Sequence, residues 1–309
     1  MWRFDSEMNP ATWKAVDSPA SATLHDVVGT AHGPCAVGGR GLVLGRSSDG
    51  TWGVVVENGP GARGRTLYCA DATDDGERVW FGGASGALGC YDLRERRRTD
   101  FSKPAGLGNA LRGLAVTGER GSEKLLASDG SGHTLPGEMT SGALDWEDPR
   151  RPAGDTALTA VCSDRDGVGY GTDSNGNVWR TTAEGWDRIG VAGAQNSFYA
   201  ASVAADALVV GGGNGRVHER RPPGGSRGRG SRPWTPYTLG SFTVEALAQR
   251  GERLLAGGTS GSIYVRRVGR EWTGVGWPGS KTILGVAVGD PGVAVGKNGT
   301  IVEPVSGGD

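Results

Sequence analysis

The sequence predicts an all-β chain, folded as a seven-bladed β-propeller of four-stranded antiparallel blades, and three observations predict it. First, a glycine-punctuated hairpin recurs seven times, closing at Gly41, Gly86, Gly132, Gly176, Gly215, Gly261 and Gly299, 38 to 46 residues apart. Second, a short, mostly apolar segment with a small central residue precedes each hairpin. Third, the last repeat stops at its third strand, while an unused strand-like segment lies at the N-terminus. All-strand repeats of this period indicate a propeller.

Taken in order, the hairpins read AVGGRGLVL, FGGASGALG, ASDGSGHTL, GTDSNGNVW, VGGGNGRVH, AGGTSGSIY and VGKNGTIVE. Each joins two apolar stretches through a tight Gly/Asn/Ser/Asp turn, where glycine supplies the positive φ that such turns require. The preceding segments, Leu24–Val28, Leu67–Asp71, Leu111–Ala115, Leu158–Cys162, Tyr199–Val203, Val244–Ala248 and Ile283–Ala287, are read as the innermost strands. Their third residues are Cys69, Gly113, Ala160, Ala201, Ala246 and Gly285, small enough for strands that crowd an axis, with Asp26 the exception. An aromatic marks the outer strand in six repeats: Trp52, Phe101, Trp146, Trp186, Trp234 and Trp272. The seventh is Trp13, so residues 12–16 are expected to supply the outer strand of the last blade and close the ring, removing two sheet edges. All 309 residues are then one domain, with an Arg/Gly-rich loop insert at 220–233.

Gly 57 and Pro 15 fit a chain of many turns. The net charge of −1 gives no field to steer the chain to nucleic acid, and no specific nucleic acid is expected as partner. Residues 1–7 lack the apolar core of a signal peptide and no run of 18 apolar residues exists, so membrane insertion is not expected. The chain is expected to be made in the cytoplasm and to act there or in a virion. Cys35, Cys69, Cys90 and Cys162 have no CxxC pairing and read as buried free thiols.

The run Ala36-Val37-Gly38-Gly39-Arg40-Gly41, then Val43-Leu44 and Ser48-Asp49-Gly50-Thr51-Trp52, resembles the Asp-box (neuraminidase-repeat) propellers. Within that group it is similar to the photosystem-assembly-factor-like branch. Asp26-Val27-Val28 with Gly33-Pro34, and Thr73-Asp74-Asp75-Gly76 with Val79-Trp80-Phe81, resemble propeller proteins common in halophilic archaea. The resemblance covers essentially the whole chain, although only the first repeat keeps a recognisable Asp-box.

The resemblance brings in sialidase chemistry, which needs an arginine cluster, a Tyr–Glu pair and a Phe/Tyr-Arg-Ile-Pro signature. That signature is absent. His25, His32, His133 and His218 lack metal-ligand spacing, and the glycine clusters join strand to strand, so neither a metal nor a cofactor is expected. The reading is a non-enzymatic docking propeller inside a larger assembly, a virion or cell-attachment component or a cytosolic assembly factor. The competing class is a sialidase-like enzyme or lectin.

Two places carry candidate residues. Second positions of the inner strands converge near the axis, giving a channel ring of His25, Tyr68, Arg112, Thr159 and Glu245. They either brace neighbouring blades by hydrogen bonds or meet a ligand. Loops after the third strands share one face and form a basic rim: Arg96, Arg97 and Arg98, then Arg220, Arg221, Arg227, Arg229 and Arg232, and Arg267. Arginine suits carboxylate or phosphate partners, so the partner is read as an assembly protein or an acidic glycan of a cell envelope. Trp2 and Phe4 are candidate interface residues ahead of the closing strand.

Overall fold

The computed structural model describes residues 12–191, 193–194, 196–204, 207–220 and 233–305. Trp2, Phe4, Arg221, Arg227, Arg229 and Arg232 lie outside the described residues. The chain opens with β1 (Trp13–Ala15). Blade 1 is β2 (Leu24–Thr30), β3 (Gly33–Gly38), β4 (Val43–Arg46) and β5 (Trp52–Val56). Blade 2 is β6 (Leu67–Ala72), β7 (Arg78–Gly83), β8 (Leu88–Asp92) and β9 (Arg97–Asp100). Blade 3 is β10 (Leu111–Thr117), β11 (Lys124–Asp129), β12 (Thr134–Thr140) and β13 (Ala143–Trp146). Blade 4 is β14 (Leu158–Ser163), β15 (Gly169–Asp173), β16 (Val178–Thr182) and β17 (Gly185–Arg188). Blade 5 is β18 (Phe198–Ala204), β19 (Ala207–Gly212), β20 (Arg216–Arg220) and β21 (Thr235–Thr238). Blade 6 is β22 (Val244–Arg250), β23 (Arg253–Gly258), β24 (Ile263–Arg267) and β25 (Thr273–Gly274). Blade 7 is β26 (Ile283–Ala287), β27 (Val293–Gly296) and β28 (Ile301–Pro304), and β1 completes it.

Seven four-stranded antiparallel sheets result, as the repeats predict. The closing strand pairs Trp13 with Pro304, Lys14 with Glu303 and Ala15 with Val302. Trp13 is 2% exposed and packs with Leu255, Ile263 and Val275 of blade 6, and its backbone N–H donates to the Gly276 carbonyl at 2.9 Å. Burying an indole of this size contributes on the order of 4 kcal/mol by area. The same logic runs round the ring, since the apolar faces of adjacent blades share one core. Leu24, Ala36, Leu44 and Trp52 of blade 1, for instance, pack on Val293, Val295 and Ile301 of blade 7.

The hairpin glycines hold for two reasons at once. Gly299 has φ +69, and a Cβ there would stand 1.8 Å from the Ala20 carbonyl oxygen, so no other residue fits. Five of the turns are 3-10 turns with a left-handed central residue: Arg40, Ser85, Asn214, Ser260 and Asn298. In blades 3 and 4 an aspartate starts the turn instead. Asp129 accepts the N–H of Ser131 and His133, and Asp173 accepts that of Asn175 and Asn177.

One register differs from the sequence reading. In blade 5 the inner strand begins at Phe198, not Tyr199, because the fully buried Phe198 takes the place of Leu24 and its equivalents and pairs with Gly212. Ala200, not Ala201, is therefore the small third residue, and Tyr199 takes the second position. Arg220 also ends β20 and does not belong to the loop insert. All four cysteines are free, and burial raises each thiol's pKa, to about 12 for Cys35 and Cys90.

Candidate functional site

Every inner strand carries a register shift between its first and third residues, so the second residue sits at a β-bulge in all seven blades. A bulge leaves its extra residue unpaired and re-aims the side chain. The seven bulged residues are His25, Tyr68, Arg112, Thr159, Tyr199, Glu245 and Leu284, and all of them line one axial channel of about 1740 Å³. Because the first residue of each inner strand pairs beside the hairpin turn, the bulges lie at the channel mouth on the turn-bearing face, here the upper face. The ring read from the sequence is thus brought together, with Tyr199 added. Periodicity missed Tyr199 because its neighbour Tyr199-Ala-Ala imitates the spacing of the other strands by one residue.

Blades 1 to 3 form a stack at this mouth. The His25 and Tyr68 rings meet edge to face at 5.1 Å, and the Arg112 guanidinium lies 4.2 Å from the Tyr68 ring centre. Burial, with Arg112 nearby, pushes the His25 pKa below its ordinary value, which favours the neutral imidazole. On the far side, burial raises the Glu245 pKa while Lys297 pulls it down. Among the described residues, the side chains of His25, Tyr68, Arg112, Tyr199 and Glu245 make no hydrogen bond. Thr159 does, its hydroxyl donating to the Phe198 carbonyl of the next inner strand at 2.7 Å. Bracing therefore describes Thr159 and not the other four ring residues read from the sequence.

Bracing of the channel wall falls to other residues. Each inner strand pairs on one side only, leaving an unpaired backbone edge toward the axis. Asp26 accepts the N–H of Ala70 in blade 2 at 2.9 Å and of its own neighbour Val27 at 2.8 Å. Asp71 accepts the N–H of Val116 in blade 3 and of Ala72, both at 2.8 Å. Burial pushes both carboxyls up to about 7 while the N–H donors pull them down. Gln249 donates to the Ser202 carbonyl of blade 5 at 2.7 Å. Asp26 stood out in sequence as a misfit among small residues; Asp71 and Gln249 gave no signal.

The lower face carries the loops of the basic rim, and its arginines are differently placed. Arg266 is buried against Glu219 at 2.7 Å and donates to the Tyr237 hydroxyl at 3.0 Å. Arg267 lies opposite Arg253 in the sheet, and Arg220 donates to the Ile189 carbonyl at 3.3 Å. Arg97 faces Glu95 at 3.4 Å, Arg98 donates to the Glu57 carbonyl at 3.1 Å, and Arg96 sits in the turn before β9 with φ 51. Arg96, Arg97 and Arg98 belong to blade 2, and Arg220 and Arg267 to blades 5 and 6, so the described rim is two separate groups. No group of three His, Cys, Asp or Glu side chains able to hold a metal forms among the described residues. No helix among them is long and apolar enough to cross a membrane.

No family model matches the chain, and no curated protein matches it in sequence. Solved structures do match its fold. A chain of the mitotic checkpoint complex aligns with TM-score 0.74 and 14% identity, covering 98% of both chains. The RRP9 WD40 repeats align with TM-score 0.74 and 15% identity, covering 97% of this chain and 100% of theirs. YCF48 bound to D1 peptide aligns with TM-score 0.73 and 15% identity over 97% of this chain and 98% of that one. At such identities the likeness shows the β-propeller fold alone.

Proposed function

We propose that this chain is a non-catalytic docking propeller whose upper mouth receives a segment of a partner protein inside a larger assembly. One observation carries the reading: five polar or aromatic side chains converge at one mouth on bulges, with no hydrogen bond to them among the described residues. His25, Tyr68 and Glu245 are half-buried, and half-buried polar groups find partners, so a mouth that leaves them open is complementary to something polar from outside. Arg112 and the Tyr68 and His25 rings suit a carboxylate or a planar side chain, and Glu245 suits a cation or an N–H donor. The solved neighbours add support, since one belongs to a checkpoint complex and another holds a D1 peptide. The neighbours favour an assembly-factor role. A virion setting and a cell-envelope glycan partner draw no support from these neighbours.

The experiment is capture of the partner from the native source at fixed salt, using wild-type protein, Arg112→Ala, Glu245→Gln and the lower-face variant Arg98→Ala. A stoichiometric protein retained by wild type and Arg98→Ala, and lost at least tenfold by either mouth variant, is the expected outcome. Equal retention by all four proteins would remove the mouth from the reading. Glycan binding or glycosidase activity would move the chain to the carbohydrate-active class.

A further inference from the structure

A second, smaller pocket of about 210 Å³ opens on the upper face at the junction of blades 1 and 2, away from the channel. Its lining includes Arg63, Arg65 and Lys103 with the hydroxyls of Ser85 and Ser102, and one acid, Asp100. Three cations against one carboxylate leave two positive charges uncompensated. Among the described residues Arg63 and Lys103 pair with nothing, and Arg65 donates only to the Ser85 carbonyl, at 2.8 Å. Asp100 accepts the Ser102 N–H at 2.9 Å and forms no ion pair with the cations beside it.

The pocket is built before any ligand arrives. Gly59 N–H donates to the Gly41 carbonyl at 2.8 Å and Lys103 N–H to the Gly86 carbonyl at 2.7 Å, which fix both loops on the hairpin turns, and Gly64 N–H closes the first loop on Asn58 at 2.9 Å. Holding them there forces non-glycine residues into left-handed backbone at Asn58, Ala62, Lys103 and Ala105, besides the turn residue Ser85. Such conformations are retained where the surroundings over-determine them, and they gather at ligand sites.

We propose that this pocket binds a phosphate group, as inorganic phosphate or as the phosphomonoester of a phosphorylated side chain. One guanidinium fork satisfies a planar carboxylate, whereas cations arriving from separate loops fit a dianion with several acceptor oxygens. Asp100 opposes the anion and sets a ceiling on affinity. The site is separate from the channel mouth and does not depend on its role.

The test is an amide NMR titration with inorganic phosphate and, in parallel, with a phosphoserine peptide, both at constant ionic strength against chloride. Saturable shifts at Gly61, Ser85 and Lys103 are expected, weakened at least tenfold in Arg63→Gln and Lys103→Gln, with Arg112→Ala unchanged. Asp100→Asn is expected to tighten binding severalfold, a gain that misfolding does not produce. A peptide bound more tightly than phosphate marks a phosphorylated chain as ligand, and the reverse order marks the free anion. Non-saturable shifts equal to those in chloride, or unchanged affinity in both Gln variants, would overturn the proposal.

Discussion

The two faces of the disc spend their polar groups differently. At the lower ends of the strands, charge is paired inside the protein: Arg266 on Glu219, Arg46 on Glu303 at 2.9 Å, and Arg78 on Glu123 at 2.6 Å and Asp92 at 3.2 Å. All but Arg78–Asp92, which joins neighbouring strands of blade 2, cross from one blade to the next near the lower ends of the strands, and Trp52 adds a 2.8 Å bond to Glu303. The lower loops are likewise tied. Asp74 accepts Gly118 N–H at 2.7 Å, Asp75 accepts Arg120 N–H at 3.1 Å, and Asp164 accepts the Tyr170 hydroxyl at 3.1 Å. Above, Arg112, Tyr68, His25 and Glu245 stand at the mouth without such ties. The contrast teaches that charge content does not locate a binding face; the decisive quantity is which polar groups the fold has left unsatisfied.

Breaking a lower pair should give the largest effect. Glu219→Ala leaves the buried Arg266, 4% exposed, without its carboxylate, and should cost about 3–5 kcal/mol in denaturant unfolding. A loss below about 1 kcal/mol would mean that this face is not braced by its charges.

The channel wall between the faces gives the next effect, through pH. Asp26 and Asp71 have folded pKa values near 7, above those of the unfolded chain, so the folded state holds the extra protons. The stability they contribute is full at about pH 4, is lost as pH rises towards 7, and falls by up to about 1.4 kcal/mol per pH unit for each group. Melting curves between pH 4 and 8 should therefore decline less steeply for Asp26→Asn with Asp71→Asn than for wild type. Parallel curves would show that both carboxyls are ionised throughout.

The smallest effect on stability should come from the upper mouth, where it sharpens the comparison most. Arg112→Ala should shift unfolding by no more than about 0.5 kcal/mol, because an exposed side chain with a single ring contact supports little. A loss as large as that of Glu219→Ala would make the two faces alike.

Much of this frame was legible in the residues. The turn glycines and the unpaired Trp13 carried blade number and closure, because a positive φ and a missing outer strand leave marks in single residues. His25, Tyr68, Arg112 and Glu245, grouped in sequence by their common second position, do share one mouth, although their role is a proposal. Tyr199 was not grouped with them, since the strand's buried first residue, Phe198, differs in type from the aliphatic residues elsewhere and no spacing rule distinguishes them. The fate of the arginines was least legible. Arg266 and Arg267 are adjacent in sequence, yet Arg266 is buried on a glutamate 47 residues away, which depends on how blades 5 and 6 meet. Which charges remain free is a property of blade packing and has no local signature.

The bulge at each inner strand has a consequence for how such a protein changes over time. Its geometry is held by the residues on either side, a buried apolar one before and, in six blades, a small one after, while the residue between them belongs to no pair. Six of these positions, all but Thr159, can then be exchanged one at a time, each altering a different point of the mouth without removing a side-chain hydrogen bond among the described residues. In the proposed docking role, partner preference is thereby uncoupled from foldability, and new specificities lie within single substitutions.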